Sequence, residues 1–69
     1  MEFKLRGDYI ALCDLLKLTG IADSGGQGKF MIANGEVTVD DQPESRKTAK
    51  IRANQTVQCL GQTVRVVAG

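Results

Sequence analysis

Four cationic side chains, Arg46, Lys47, Lys50 and Arg52, stand within seven positions of one another, in and just past the segment ESRKTAK of residues 44–50. Phosphate recognition asks for such a group. Each guanidinium or ammonium that meets a nucleic-acid phosphate releases condensed counterions and gains affinity. An arginine can also fork two N–H donors onto one phosphate or onto a guanine edge. The same residues would serve equally as a solvated loop that keeps the protein soluble, and side-chain types alone leave both readings open.

The glycine-rich piece SGGQGKF, residues 24–30, is the second candidate. It fails as a nucleotide loop. A P-loop needs G-x-x-x-x-G-K-[ST], but Asp23 takes the place of the first glycine and Phe30 follows Gly28-Lys29. A dinucleotide fingerprint begun at Gly26 meets Met31 where its last glycine belongs. What remains is general: a helix that starts at Ser24-Gly25 offers unpaired N–H groups that suit a phosphate.

Catalysis has less to work with. The chain has no histidine, the usual general acid–base at neutral pH. Asp40-Asp41 falls in a turn, where aspartate is favoured for local hydrogen bonding, and Ser24 has no accompanying base to activate it. Cys13 and Cys59 are far apart and form no CxxC pair, so a zinc site lacks its ligands; both are expected to be buried and reduced. The sequence thus predicts no enzyme, no metal site and no cofactor.

The 69 residues allow a single domain, residues 1–69, with a modest core. With 42% hydrophobic and 25% charged residues the chain should fold. No apolar run approaches the roughly 20 residues needed to span a bilayer. The start, Met1-Glu2-Phe3-Lys4, lacks the apolar block of a signal peptide, so a cytoplasmic location is expected. The net charge of +1 hides an asymmetry. Residues 1–45 hold eight acids and four bases, net −4, whereas residues 46–69 hold five bases and no acid, net +5. A local electropositive surface follows.

Elements must position these groups. Alternation across Glu2–Arg6 reads as a short strand broken by Gly7. Asp8 is a candidate N-cap for a helix in which Tyr9, Leu12, Cys13, Leu15 and Leu16 share one face and which Gly20 ends. Ser24 caps a second helix running to about Asn34, with Gly28, Met31 and Ile32 facing the first helix and Asn34-Gly35 as its C-terminal cap. Beyond it the period changes from helical to alternating at Val37 and Val39. Asp40-Asp41-Gln42-Pro43 reads as a turn, and a hairpin centres on Gly61-Gln62. Phe3 and Phe30 are assigned to the core and Tyr9 is left open, which favours reading RNA shape and backbone over stacking on bases. The layout is α+β: a two-helix hairpin and a small antiparallel sheet.

Residues 12–58 resemble the RNA-binding domain named after ribosomal protein four of the small subunit, the αL motif. Its pattern, L-x-x-L-L-x-x-x-G-x-x-x-S followed by G-x-V-x-V-N-G, is met here by LCDLLKLTGIADS and GKFMIANGEVTVDD. SGGQGK and ESRKTAK are similar to the matching segments of small stand-alone bacterial members, of the YbcJ type. The resemblance implies an αL-type RNA-binding fold, with structured RNA, ribosomal or transfer, bound across the helix pair and the adjoining loop. Carried over by position, it implies that Lys29 is the basic residue of the second helix, that Arg46, Lys47 and Lys50 form the basic strand–loop segment, and that Ser24 and Gly25 form the helix start. Arg52 extends the cluster. The sequence departs from the pattern at Gly28, where alanine is usual, at Asp41, which replaces a turn glycine, and at Gly25, where the wider family often has arginine.

Two other classes compete. The acidic first part could face a basic protein, making the chain a non-catalytic protein–protein interaction module. A sulfur carrier of the β-grasp class should end in Gly-Gly, whereas this chain ends Val67-Ala68-Gly69. With the apolar positions used up by one helix pair and one sheet, a monomer is expected, with no membrane and no small-molecule substrate as partner.

Overall fold

Apolar periodicity decides which face of each element turns inward. The computed structural model describes residues 1–69. In chain order the elements are β1 (Glu2–Lys4), β2 (Ile10–Ala11), α1 (Leu12–Leu18), α2 (Gly25–Ala33), β3 (Val37–Val39), β4 (Gln42–Pro43), β5 (Lys50–Ile51), β6 (Thr56–Cys59) and β7 (Gln62–Val67). Five strands form one sheet in the order β1-β7-β6-β3-β4, and β2 pairs with β5 separately. No helix is long and apolar enough to cross a membrane.

Along the strands Val37, Val39, Val57, Cys59, Val64 and Val66 are buried, while Gln58 and Arg65 between them are exposed, the period of two that a one-sided sheet demands. Leu12, Cys13, Leu15 and Leu16 of α1 and Met31 and Ile32 of α2 meet that face. The result is one cluster of 16 buried hydrophobic residues with no buried polar side chain.

Packing, not propensity, holds α2. Its sequence GGQGKFMIA carries three glycines, each disfavouring helix by about 1 kcal/mol against alanine. Burial of Met31 and Ile32 contributes roughly 1.5–3 kcal/mol apiece and offsets them. The Ser24 hydroxyl accepts from the Gln27 N–H at 3.1 Å, the capping expected from the sequence. At the other end Gly35 is left-handed (φ 78°), and the N–H groups of Gly35 and Glu36 return to the carbonyls of Ile32 and Met31. This is a Schellman closure.

Four expectations change. Helix α1 begins at Leu12, not Tyr9, and its N-cap is Ala11; Asp8 caps nothing and is exposed. The N–H groups of Leu12 and Cys13 donate instead to the carbonyls of Ala49 (2.9 Å) and Lys47 (3.1 Å), so a distant segment does the work of a side-chain cap. The expected antiparallel sheet carries one parallel pair, β1 with β7, possible because nearly the whole chain serves as their crossover. The last hairpin turns at Leu60-Gly61, since Cys59 pairs with Gln62. Phe30 is 62% exposed rather than core, because it lies two residues from both Gly28 and Ile32, off the face they bury. Phe3 is partly buried against the core.

The helices approach closely at Gly28, where an added Cβ would stand 3.0 Å from the Cys13 carbonyl oxygen; at Gly26 it would meet only the Ser24 Oγ, at an ordinary contact distance of 3.8 Å. Gly26→Ala should therefore raise unfolding stability by roughly 0.4–1 kcal/mol, whereas Gly28→Ala should lower it, as measured by urea denaturation. Equal stabilisation by both would show that the helix contact has no need of glycine.

Candidate nucleic-acid interface

The basic segment is held by its backbone and by alternate apolar side chains. Carbonyls of Lys47 and Ala49 cap α1, where the partial positive charge of a helix N-terminus favours them. Ala49 and Ile51 are buried, while Arg46, Lys47, Lys50 and Arg52 are all exposed. The strand alternation that sinks Ala49 and Ile51 thus turns Lys50 and Arg52 outward.

Pairing of β2 with β5 sets Ile10 against Ile51 and Ala11 against Lys50. This brings Tyr9 to the two outward cations: Lys50 Nζ lies 5.0 Å and Arg52 Cζ 5.7 Å from the ring centroid. Each such cation–π contact is worth about 0.5–1 kcal/mol where exposed. Its effect here is to gather two cations over one ring. Sequence reasoning left Tyr9 unassigned, because its role comes from register across some forty residues of chain.

Arg46 is differently placed. Its Nε and Nη2 donate to the two carboxylate oxygens of Glu44, both at 3.1 Å, and its backbone N–H also donates to Glu44 at 3.1 Å. The Glu44 side chain is in turn mostly covered, 18% exposed, and its backbone N–H is fixed to the Val37 carbonyl. Hydrogen bonds from Arg46 hold the Glu44 carboxyl below its ordinary range, and the Arg46 pKa is raised by the same pair. With a depressed carboxyl the pairing is complete at neutral pH and is lost only in acid, below Glu44's ordinary 4.5. With its arginine 78% exposed, the pair adds little stability. Its consequence is electrostatic: the charge of Arg46 is already matched.

Ser24 and Gly25 form the start of α2, and Lys29 lies at its middle. The Ser24 hydroxyl is engaged in the cap, and Gly25 stands at the helix start, where no preceding turn supplies a carbonyl. Lys29 is exposed beside the buried Gly28. Cys13 links the groups, since its N–H meets the Lys47 carbonyl and its own carbonyl touches Gly28. Gly28 of α2 and the basic segment thus both approach Cys13 in the first turn of α1. Lys50 and Arg52 gather apart from these, around Tyr9. Asp40 is not part of the arrangement: left-handed (φ 51°), it accepts from the Thr56 N–H at 2.9 Å and from Gln55, fastening β3 to β6. The two thiols are free and buried, and burial followed by the Glu36 carboxylate pushes the Cys59 thiol up.

A helix hairpin on a small sheet, with a cationic strand–loop segment beside the first helix, defines a member of the S4 class of domains. The S4 domain family matches residues 3–67, and the chain belongs to that family. It is 53% identical over 60 residues to the Escherichia coli (strain K12) protein YbcJ, named as a candidate RNA-binding protein, covering 87% of this chain and 86% of that one. Over 54 residues it is 33% identical to RlbA of Bacillus subtilis (strain 168), named as a probable ribosome maturation protein, with 78% and 76% coverage. The solution structure of E. coli YbcJ, described as revealing an αL motif involved in RNA binding, superposes with a TM-score of 0.76 at 50% identity over 97% of this chain and 86% of that one. The 30S ribosomal protein S4e of Thermoplasma acidophilum shares the fold, with a TM-score of 0.63 at 21% identity, covering 84% of this chain and 31% of that one.

The matched charge of Arg46 has a measurable signature on a generic polyanion. On a heparin column Arg46→Ala should shift elution to lower salt by less than Lys47→Ala does, and Glu44→Gln should shift it to higher salt. Equal shifts for the two alanine variants would mean that Glu44 does not withhold the guanidinium.

Proposed function

We propose that the chain is a non-catalytic RNA-binding protein that acts in the cytoplasm as a monomer and contacts structured RNA, ribosomal or transfer. One observation carries the reading: the basic segment is tethered through the carbonyls of Lys47 and Ala49 to the first turn of α1, so its cations are presented from a fixed backbone. Arg46 and Lys47 meet phosphates along one side of that turn, and Lys50 and Arg52 extend the contact around Tyr9. Lys29 and the α2 start at Ser24 and Gly25 meet them along the other, the helix end offering N–H groups to an anion. The naming of YbcJ for RNA binding, and of RlbA for ribosome maturation, supports RNA as the partner and the ribosome as one source of it. A binding role also agrees with the absence of histidine and the burial of both thiols.

The test is the combined variant Arg46→Ala, Lys47→Ala, Lys50→Ala. It should stay folded, because exposed surface charges usually contribute within about half a kcal/mol. Its affinity for a structured RNA should fall, and the dependence of log affinity on log salt should flatten by somewhat under one unit per lost contact. Arg65→Ala, on the sheet face away from the helices, removes one charge as the control. An unchanged affinity and slope would leave the cluster a solvated face. The protein-interaction reading, which the exposed Phe30 favours, would then replace this one.

A further inference from the structure

A cleft of about 490 Å³ opens between β1, the connection to β2 and the last turn of α1. That volume falls within the range of roughly 300–1,000 Å³ typical of small-ligand sites. Phe3, Ile10 and Leu18 supply its apolar wall, Lys4 and Arg6 its rim, and Tyr9 closes one side; no acidic side chain lines it. Leu18 is 63% exposed and Tyr9 48%, so both present apolar surface to solvent at this cleft. The Tyr9 ring that lines this cleft is the same ring beside which Lys50 and Arg52 gather. The apolar cleft and the basic segment are thus continuous through one aromatic side chain.

We infer that this cleft receives a single unpaired nucleobase of the bound RNA, seated against Tyr9 and Leu18, while the phosphates on its two sides meet Lys4 and Arg6 on one flank and Lys50 and Arg52 on the other. This inference rests on the RNA-binding reading and extends it to a base-recognising position. The charge pattern selects the occupant. An apolar cleft with cations on its rim and around its aromatic side chain, and no acid in its lining, fits a flat heteroaromatic ring whose backbone is anionic before and after it. Bases freed from a helix are the part of a structured RNA that proteins can read by stacking. The exposed aromatic ring needed for this, left open by the sequence, is present at Tyr9.

The experiment compares a fully paired RNA duplex with the same duplex carrying one unpaired 2-aminopurine nucleotide. The wild-type protein should bind the bulged duplex more tightly by roughly five-fold or more, the lower end of what stacking one base on an aromatic side chain supplies, and the 2-aminopurine emission should change on binding. Leu18→Ser should erase the preference while leaving the affinity and salt slope for the paired duplex unchanged; Leu18→Phe should keep the preference. Equal binding of both duplexes with unchanged emission overturns the inference while the RNA reading stands. Binding to neither duplex removes the RNA reading, and this inference with it. The chain has one tyrosine and no tryptophan, so Tyr9 fluorescence reports the cleft directly. A change in it on adding an acidic amphipathic peptide, with the 2-aminopurine signal silent, would assign the cleft to a protein and overturn the inference.

Discussion

Two backbone hydrogen bonds organise this molecule: the first N–H groups of α1 donate to the carbonyls of Ala49 and Lys47. A helix start exposes donors that no preceding turn can satisfy, and here they are satisfied by a segment more than thirty residues further along the chain. The same two bonds fix the path of residues 47–49, seat Ala49 in the core and set β5 in register with β2. Replacing them by a local side-chain cap would leave the helix equally capped but the basic segment untethered. The element that carries the cations is therefore also the element that completes the helix, and neither can be displaced alone.

Electrostatically the cations are unequal despite their clustering. Lys47 is exposed with no ion-pair partner, Lys50 and Arg52 share the face of Tyr9, and Arg46 is matched by Glu44. An incoming phosphate must compete with a bidentate carboxylate for Arg46 but with water alone for Lys47. That difference sorts four residues of similar sequence character into those that attract and one that must be exchanged.

Features governed by near neighbours were legible in the sequence. The Ser24 cap, the Asn34-Gly35 stop, the inward set of Gly28, Met31 and Ile32 and the alternation through Val37, Val57 and Val64 each depend on residues within one or two turns or on a period of two. The family resemblance came from those same segments. What was misread depends on distant partners. Asp8 was a sound cap by local chemistry, and it lost to carbonyls supplied from residues 47 and 49. Tyr9 was placed on a helix by its spacing from Leu12 and Cys13, yet pairing of the adjacent Ile10–Ala11 with β5 keeps it off the helix and beside Lys50. Phe30 was assigned to the core by its residue type, although its angular position on α2 faces it outward. The site's constituents could thus be named from the sequence, but their division into a tethered segment, a matched arginine and a shared aromatic ring could not.

The parallel pairing of Glu2–Lys4 with Arg65–Val67 has a kinetic meaning. It joins residues some sixty positions apart, and β2 with β5 joins residues about forty apart. Closing such loops costs entropy before any contact offsets it, and non-local pairings slow folding accordingly. The helix hairpin, made of near neighbours, is free to form early, whereas the cationic segment finds its place only when β5 docks. On a growing or partly unfolded chain the charges are present but scattered, so the organised surface arises at the end of folding rather than along the way.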